Sequence, residues 1–121
     1  MAIQSFRDLV VWQKSIDLVT KIYQLSKEFP KEEIFGLTSQ IRRAAVSIPS
    51  NIAEGRGKST KGEFQQFLHH SRGSLAEVET QIIIAQNLGY LSNKETEQVI
   101  DMTSEIGRLL HGLITSIKKK S

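Results

Sequence analysis

Three histidines, two neighbouring serines and a pair of glutamates are the side chains here whose types fit metal binding or acid–base work. His69 and His70 are adjacent, so on a helix they project about 100° apart and cannot easily close on one ion. A di-iron bundle needs Glu-x-x-His on two helices plus two further glutamates. Gln66 stands three residues before His69, Phe67 before His70, and Arg108 before His111. Ser71 and Ser74 lie one and four residues from His70, offsets that show nothing beyond helical geometry, whereas an activated nucleophile needs a positioned base. Small serines inside a bundle more often permit close helix packing. Glu54 and Glu77 would run acid–base chemistry only if their environments held their pKa values apart. A glutamate near the core boundary is instead expected to pair, with Arg42, Arg43 and Arg72 as available partners. The residues therefore predict a non-enzyme with no catalytic set, metal, cofactor or small-molecule substrate.

The stretch Gly55-Arg56-Gly57 invites a phosphate-loop reading, but it lacks the Gly-x-x-x-x-Gly-Lys-Ser/Thr spacing and follows no strand. A helix begins just beyond it. Ser59, Thr60 and the free amides of that first turn therefore face the same solvent as Arg56, Lys58 and Lys61, which makes a generic anion site. The alternative is a solvated basic turn stabilised by the dipole of the preceding helix. Residues 42–61 hold five basic side chains against Glu54 alone, net +4, in a chain whose total is +3. The basicity is local, with a second run at Lys118, Lys119 and Lys120. Arg42, Arg43, Arg56, Lys58, Lys61 and these three lysines are the candidate nucleic-acid contacts, giving sequence-tolerant and salt-sensitive binding. Phe6 and Trp12 are the nearest aromatics, too few for base stacking to be expected.

Apolar residues recur every three or four positions between sparse Gly and Pro punctuation, which predicts four helices over about residues 8–27, 36–54, 60–87 and 93–118. Thr60 with Glu63 and Ser92 with Glu95 have capping-box spacing. Gly55 and Gly89 suit left-handed C-terminal caps, and Pro30 ends the first helix. Pro49 is expected to kink the second helix, with Ser47, Ser50 or Asn51 serving the freed Ala45 carbonyl. Asn51 and Glu54 are read as structural polar anchors that bind backbone or an arginine. Short connections make the helices antiparallel neighbours. The predicted fold is all-α, one up-down-up-down four-helix bundle spanning residues 1–121.

That topology gathers Arg7, Arg56, Lys58, Lys61 and the lysine tail at one end, against Asp8, Glu54 and Glu63. The opposite end carries an excess of glutamate, so the bundle is electrically polar. On the first helix, Leu9, Trp12, Ile16, Val19, Tyr23 and Ser26 are read as the core stripe. Val11, Leu18, Ile22 and Leu25 then form a second stripe, and with Val10, Phe29 and Phe35 they make a surplus expected to drive self-association. The absence of cysteine, of a secretory-type leader and of any long apolar run predicts a cytoplasmic protein that does not span a membrane.

Three stretches carry a family resemblance: FRDLVVWQKSIDLV at 6–19, FGLTSQIRRAAVSIPSNIAEG at 35–55 and FLHHSRGSLAEVETQI at 67–82. Over residues 6–115 the chain resembles the four-helix-bundle proteins encoded in intervening sequences of bacterial 23S ribosomal RNA genes. More distantly it is similar to the accessory variability protein of diversity-generating retroelements, which assists a reverse transcriptase and contacts nucleic acid through basic surface. The resemblance implies a bundle, a ring-like homopentamer, no catalytic activity, and RNA, a ribonucleoprotein or a nucleic-acid enzyme as partner.

Overall fold

The computed structural model describes residues 5–119, with the side chain of Lys119 left undescribed. Four helices account for most of them: α1 (Val10–Ser26), α2 (Leu37–Arg56), α3 (Lys61–Asn87) and α4 (Asn93–Lys119). Two single 3₁₀ turns, Phe6–Asp8 and Lys31–Glu33, precede α1 and α2. Each helix packs on its chain neighbours, and α4 closes the ring against α1. The pairings run antiparallel. Along α2 and α3, Gly55 meets Phe67, Ile48 meets Ser71 and Ser47 meets Ser74. Along α3 and α4, Gln86 meets Asn93 and Gln65 meets Ile114. The result is an up-down-up-down bundle around Leu18, Ile22, Ile41, Ile48, Ile52, Leu68, Val78, Ile82, Val99, Ile106 and Leu110, all fully buried.

The helix ends follow local chemistry. Thr60 accepts from the Glu63 amide at 3.1 Å and donates to the Glu63 carboxylate at 2.9 Å. Ser92 and Glu95 exchange both bonds of a capping box, at 3.1 and 2.9 Å. Gly89, at φ +82°, supplies the left-handed residue after α3. Glu33 does the work of a cap for α2: Oε1 accepts from the Leu37 amide at 3.1 Å, while Oε2 accepts from the Tyr90 hydroxyl at 2.9 Å. One carboxylate thus ties the α1–α2 connection to the α3–α4 connection. The bond to Glu33 is the main cause that holds the Tyr90 hydroxyl above its ordinary pKa, with burial and the charges of Glu33 and Glu32 adding to it.

Three expectations are corrected. On α1 the stripe Val11, Leu18, Ile22 and Leu25 is not a surplus oligomer face: Leu18 is 0% and Ile22 1% exposed, and all four belong to the core. Ile16 and Tyr23 are exposed instead, with Trp12 and Val19 half-buried beside them. Compact aliphatics fit the narrow interior, while large rings with a polar tip settle at its rim. Ser15 and Ser26 spare the buried stripe bulk, and the Ser15 hydroxyl satisfies itself on the Val11 carbonyl at 2.7 Å.

Gly55 is not a left-handed cap. The helix continues to Arg56, and a Cβ at Gly55 would lie 2.6 Å from the Cβ of Phe67 and 3.1 Å from the Phe64 ring. The glycine lets α2 and α3 approach.

Helix runs on both sides of Pro49 as expected, but the polar groups near it serve partners other than the Ala45 carbonyl. Asn51 donates to the Ser47 carbonyl at 2.8 Å, the Ser47 hydroxyl pairs with that of Ser74, and Ser71 donates to the Ile48 carbonyl at 2.9 Å.

Candidate nucleic-acid interface

The basic residues at the α2–α3 turn are gathered by packing of three chain segments. Ring contact between Phe6 and Trp12, with centroids 5.2 Å apart, anchors the 6–8 turn, and Phe6 shares a groove with Ala53 near the end of α2. The Gln65 amide donates to the Ile114 carbonyl at 3.4 Å, which brings the start of α3 to the end of α4. Arg7, Arg56, Lys58, Lys61 and Lys118 therefore share one end of the bundle with Asp8, Glu54 and Glu63. Lys58 reaches its charge to 4.0 Å from Glu54 and lies 5.2 Å over the Phe67 ring. Such exposed pairs contribute little to stability. Lys120 and the side chain of Lys119 fall outside the described residues.

Two members of the predicted basic set lie apart from this end. Arg42 and Arg43 sit 13 to 14 residues before Arg56, about 20 Å along the helix. Arg42 is half-buried: its Nε donates to the Ser26 hydroxyl at 2.8 Å, and its guanidinium stands 4.6 Å over the Tyr23 ring. It clamps α2 to α1. Arg43, exposed, borders the depression beside Tyr23 and also lines an open cleft between α2 and α3.

The anion site expected at the start of α3 is largely filled from within. The Glu63 carboxylate occupies the first turn, hydrogen-bonded to Thr60, where it takes up the positive end of the helix dipole. The place an external anion would take at these helix amides is thus already held by a carboxylate of the chain itself. Among the described residues no three His, Asp or Glu side chains are placed to hold a metal ion. His69 accepts from Arg72 at 2.9 Å and His70 meets the Phe67 ring edge-on, both on the exposed side of α3. Glu54 and Glu77 are exposed rather than at the core boundary, and Ser71, fully buried, serves a backbone carbonyl.

Two surface depressions went unread in the sequence. One is an apolar groove of about 320 Å³ between α1 and α2, lined by Phe6, Trp12, Ile16, Val19, Val46 and Ala53. The other is the polar α2–α3 cleft of about 540 Å³, lined by Phe35, Ser39, Gln40, Arg43, Glu77 and Gln81. Phe35 is 95% exposed. The readable signal for the cleft was positional: Arg43 precedes core residue Ala44, while Glu77 and Gln81 each precede core residues Val78 and Ile82, so they flank the seam.

Residues 7–112 match the family model described as 23S rRNA-intervening sequence protein. The chain belongs to this family. Among solved structures, it is similar to a protein of unknown function from the S23 ribosomal protein family of Bacteroides thetaiotaomicron. The two are 25% identical and superpose with a TM-score of 0.81, over 87% of this chain and 98% of that one. No curated protein matches the chain. No helix among the described residues is long and apolar enough to cross a membrane.

Proposed function

We propose that this member of the 23S rRNA-intervening sequence protein family is a non-catalytic, cytoplasmic, oligomeric RNA-binding bundle. The observation that carries the reading is the gathering of Arg7, Arg56, Lys58, Lys61 and Lys118 at one end by three separate chain segments. Lysines and arginines gathered around a capped helix end suit backbone phosphate rather than a base edge, so the binding is sequence-tolerant and steeply salt-dependent. Arg42, already committed to Ser26 and Tyr23, plays no part in it. The family name motivates ribosomal RNA as the first RNA to try, and a ribonucleoprotein or nucleic-acid enzyme as the setting.

Self-association uses the apolar groove between α1 and α2. Exposed Ile16, Tyr23 and Val46 border it with half-buried Trp12 and Val19, while the stripe first assigned to this role is inside the core. The family resemblance points to a pentamer. Filter binding of a structured ribosomal RNA fragment at low salt tests the main reading. Binding that weakens at least tenfold in the triple variant Arg56→Ala, Lys58→Ala, Lys61→Ala supports it. Undetectable binding, or an affinity unchanged by the triple substitution, overturns it and leaves a protein-interaction module whose basic end only solubilises.

A further inference from the structure

The α2–α3 cleft holds three polar groups that the fold leaves unused. Arg43 and Glu77 line it together, and neither makes a hydrogen bond or ion pair with any described residue. The Oε1 of Gln81, one turn beyond Glu77, is shielded from water and accepts no hydrogen bond. A buried acceptor without a donor carries a penalty that a ligand N–H can remove. At the rim, Phe35 is 95% exposed although its backbone is firmly held. The Gly36 amide donates to the Glu33 carbonyl at 2.9 Å, the Leu37 amide to Glu33 Oε1, and Glu33 is fixed again by Tyr90. A ring presented in this way on a braced turn is a stacking platform.

The charges define what fits. Arg43 disfavours a simple cation and Glu77 disfavours a simple anion. A flat ring with adjacent donors on one edge and acceptors on another satisfies both. Guanine has this pattern: its N1–H and N2–H₂ match the two oxygens of a carboxylate, and its O6 and N7 match a guanidinium. Adenine would turn a ring-nitrogen lone pair toward Glu77, cytosine would do the same, and uracil has one donor flanked by two acceptors. A cleft of about 540 Å³ is within the range that encloses small ligands.

We infer that the α2–α3 cleft binds an unpaired guanine of an RNA, with Phe35 stacking on the base, Glu77 accepting from its donor edge, the Gln81 amide turning toward the cleft to add a second acceptor, and Arg43 donating to O6 and N7. This deepens the RNA-binding reading and rests on it for the RNA-borne form of the ligand, but it uses a surface about 20 Å from the basic end.

The test is calorimetric titration with free nucleosides, which carry no phosphate and so bypass the basic end. Guanosine is expected to saturate at one per chain and to bind at least tenfold more tightly than adenosine or cytidine. Phe35→Ala and Glu77→Gln, both at exposed positions, are each expected to weaken guanosine roughly tenfold or more without shifting the melting temperature. The triple variant at Arg56, Lys58 and Lys61 should leave the guanosine titration unchanged, so an RNA affinity that the triple variant does not alter would sink the basic-end reading and not this one. Equal affinities for the nucleosides, or indifference to Phe35→Ala and Glu77→Gln, overturns the inference. Dissociation of an oligomer by Phe35→Ala with no guanosine binding overturns it too, and assigns the cleft to a second copy. Guanosine bound but a single-guanine RNA pentamer held no better than its uracil counterpart overturns the RNA-borne assignment in favour of a free nucleotide.

Discussion

The same two helices, α2 and α3, meet in two different ways along one seam. Between residues 47–55 and 64–74 the contact is closed: Gly55 admits Phe67, Ser71 serves the Ile48 carbonyl, and Ser47 pairs with Ser74. Between residues 39–43 and 77–81 the seam opens into a cleft, and Arg43, Glu77 and the Gln81 side-chain oxygen have no partner among the described residues. Polar residues in the closed half are spent on the fold. In the open half they are available to something else, and that difference separates structural polarity from functional polarity.

Substitutions sharpen the contrast in order of size. Ile48→Ala removes a fully buried side chain from the closed half and is expected to cost about 2–5 kcal/mol in denaturant unfolding. A loss below about 1 kcal/mol would mean that this part of the seam is not tightly packed. Gly55→Ala places a Cβ 2.6 Å from that of Phe67 and is expected to cost about 1–3 kcal/mol, because backbone on both sides must shift. A neutral or stabilising result, as helix propensity alone predicts, would contradict the close approach. In the open half, Phe35→Ala and Glu77→Gln should stay within about 0.5 kcal/mol of the parent, their effect being on ligand.

The smallest expected effect concerns the brace beneath Phe35. The Tyr90 hydroxyl, hydrogen-bonded to Glu33, has a folded pKa raised above its unfolded value. Its contribution to stability is therefore complete below an unfolded pKa of roughly 10 and is lost as pH rises through the higher folded value. Stability measured from pH 8 to 11 should fall more in the parent than in Tyr90→Phe. Parallel curves would remove Tyr90 from the brace.

Much of the fold was legible because its signals are local. Thr60 with Glu63, Ser92 with Glu95, and Gly89 state the helix ends in spacings of a few residues. The misreadings needed partners from elsewhere in the chain. On α1 two apolar stripes compete, and only the width of the interior decides that Leu18 and Ile22 enter while Trp12 and Tyr23 stay at the rim. Gly55 follows Glu54 as a cap would, and its true constraint is Phe67 on the next helix. Arg42 and Arg43 count toward the same basic window as Arg56, yet helical rise carries them about 20 Å away and their adjacent positions send one to Tyr23 and the other to the cleft.

The proposal that the basic end grips RNA phosphates is tested most directly by the salt dependence of binding. For the parent and the Arg56→Ala, Lys58→Ala, Lys61→Ala variant, the slope of log affinity against log salt is to be measured on one structured RNA. Three lost phosphate contacts should make the slope shallower by about 2 units. An unchanged slope would show that these side chains do not face the phosphates and would contradict the account.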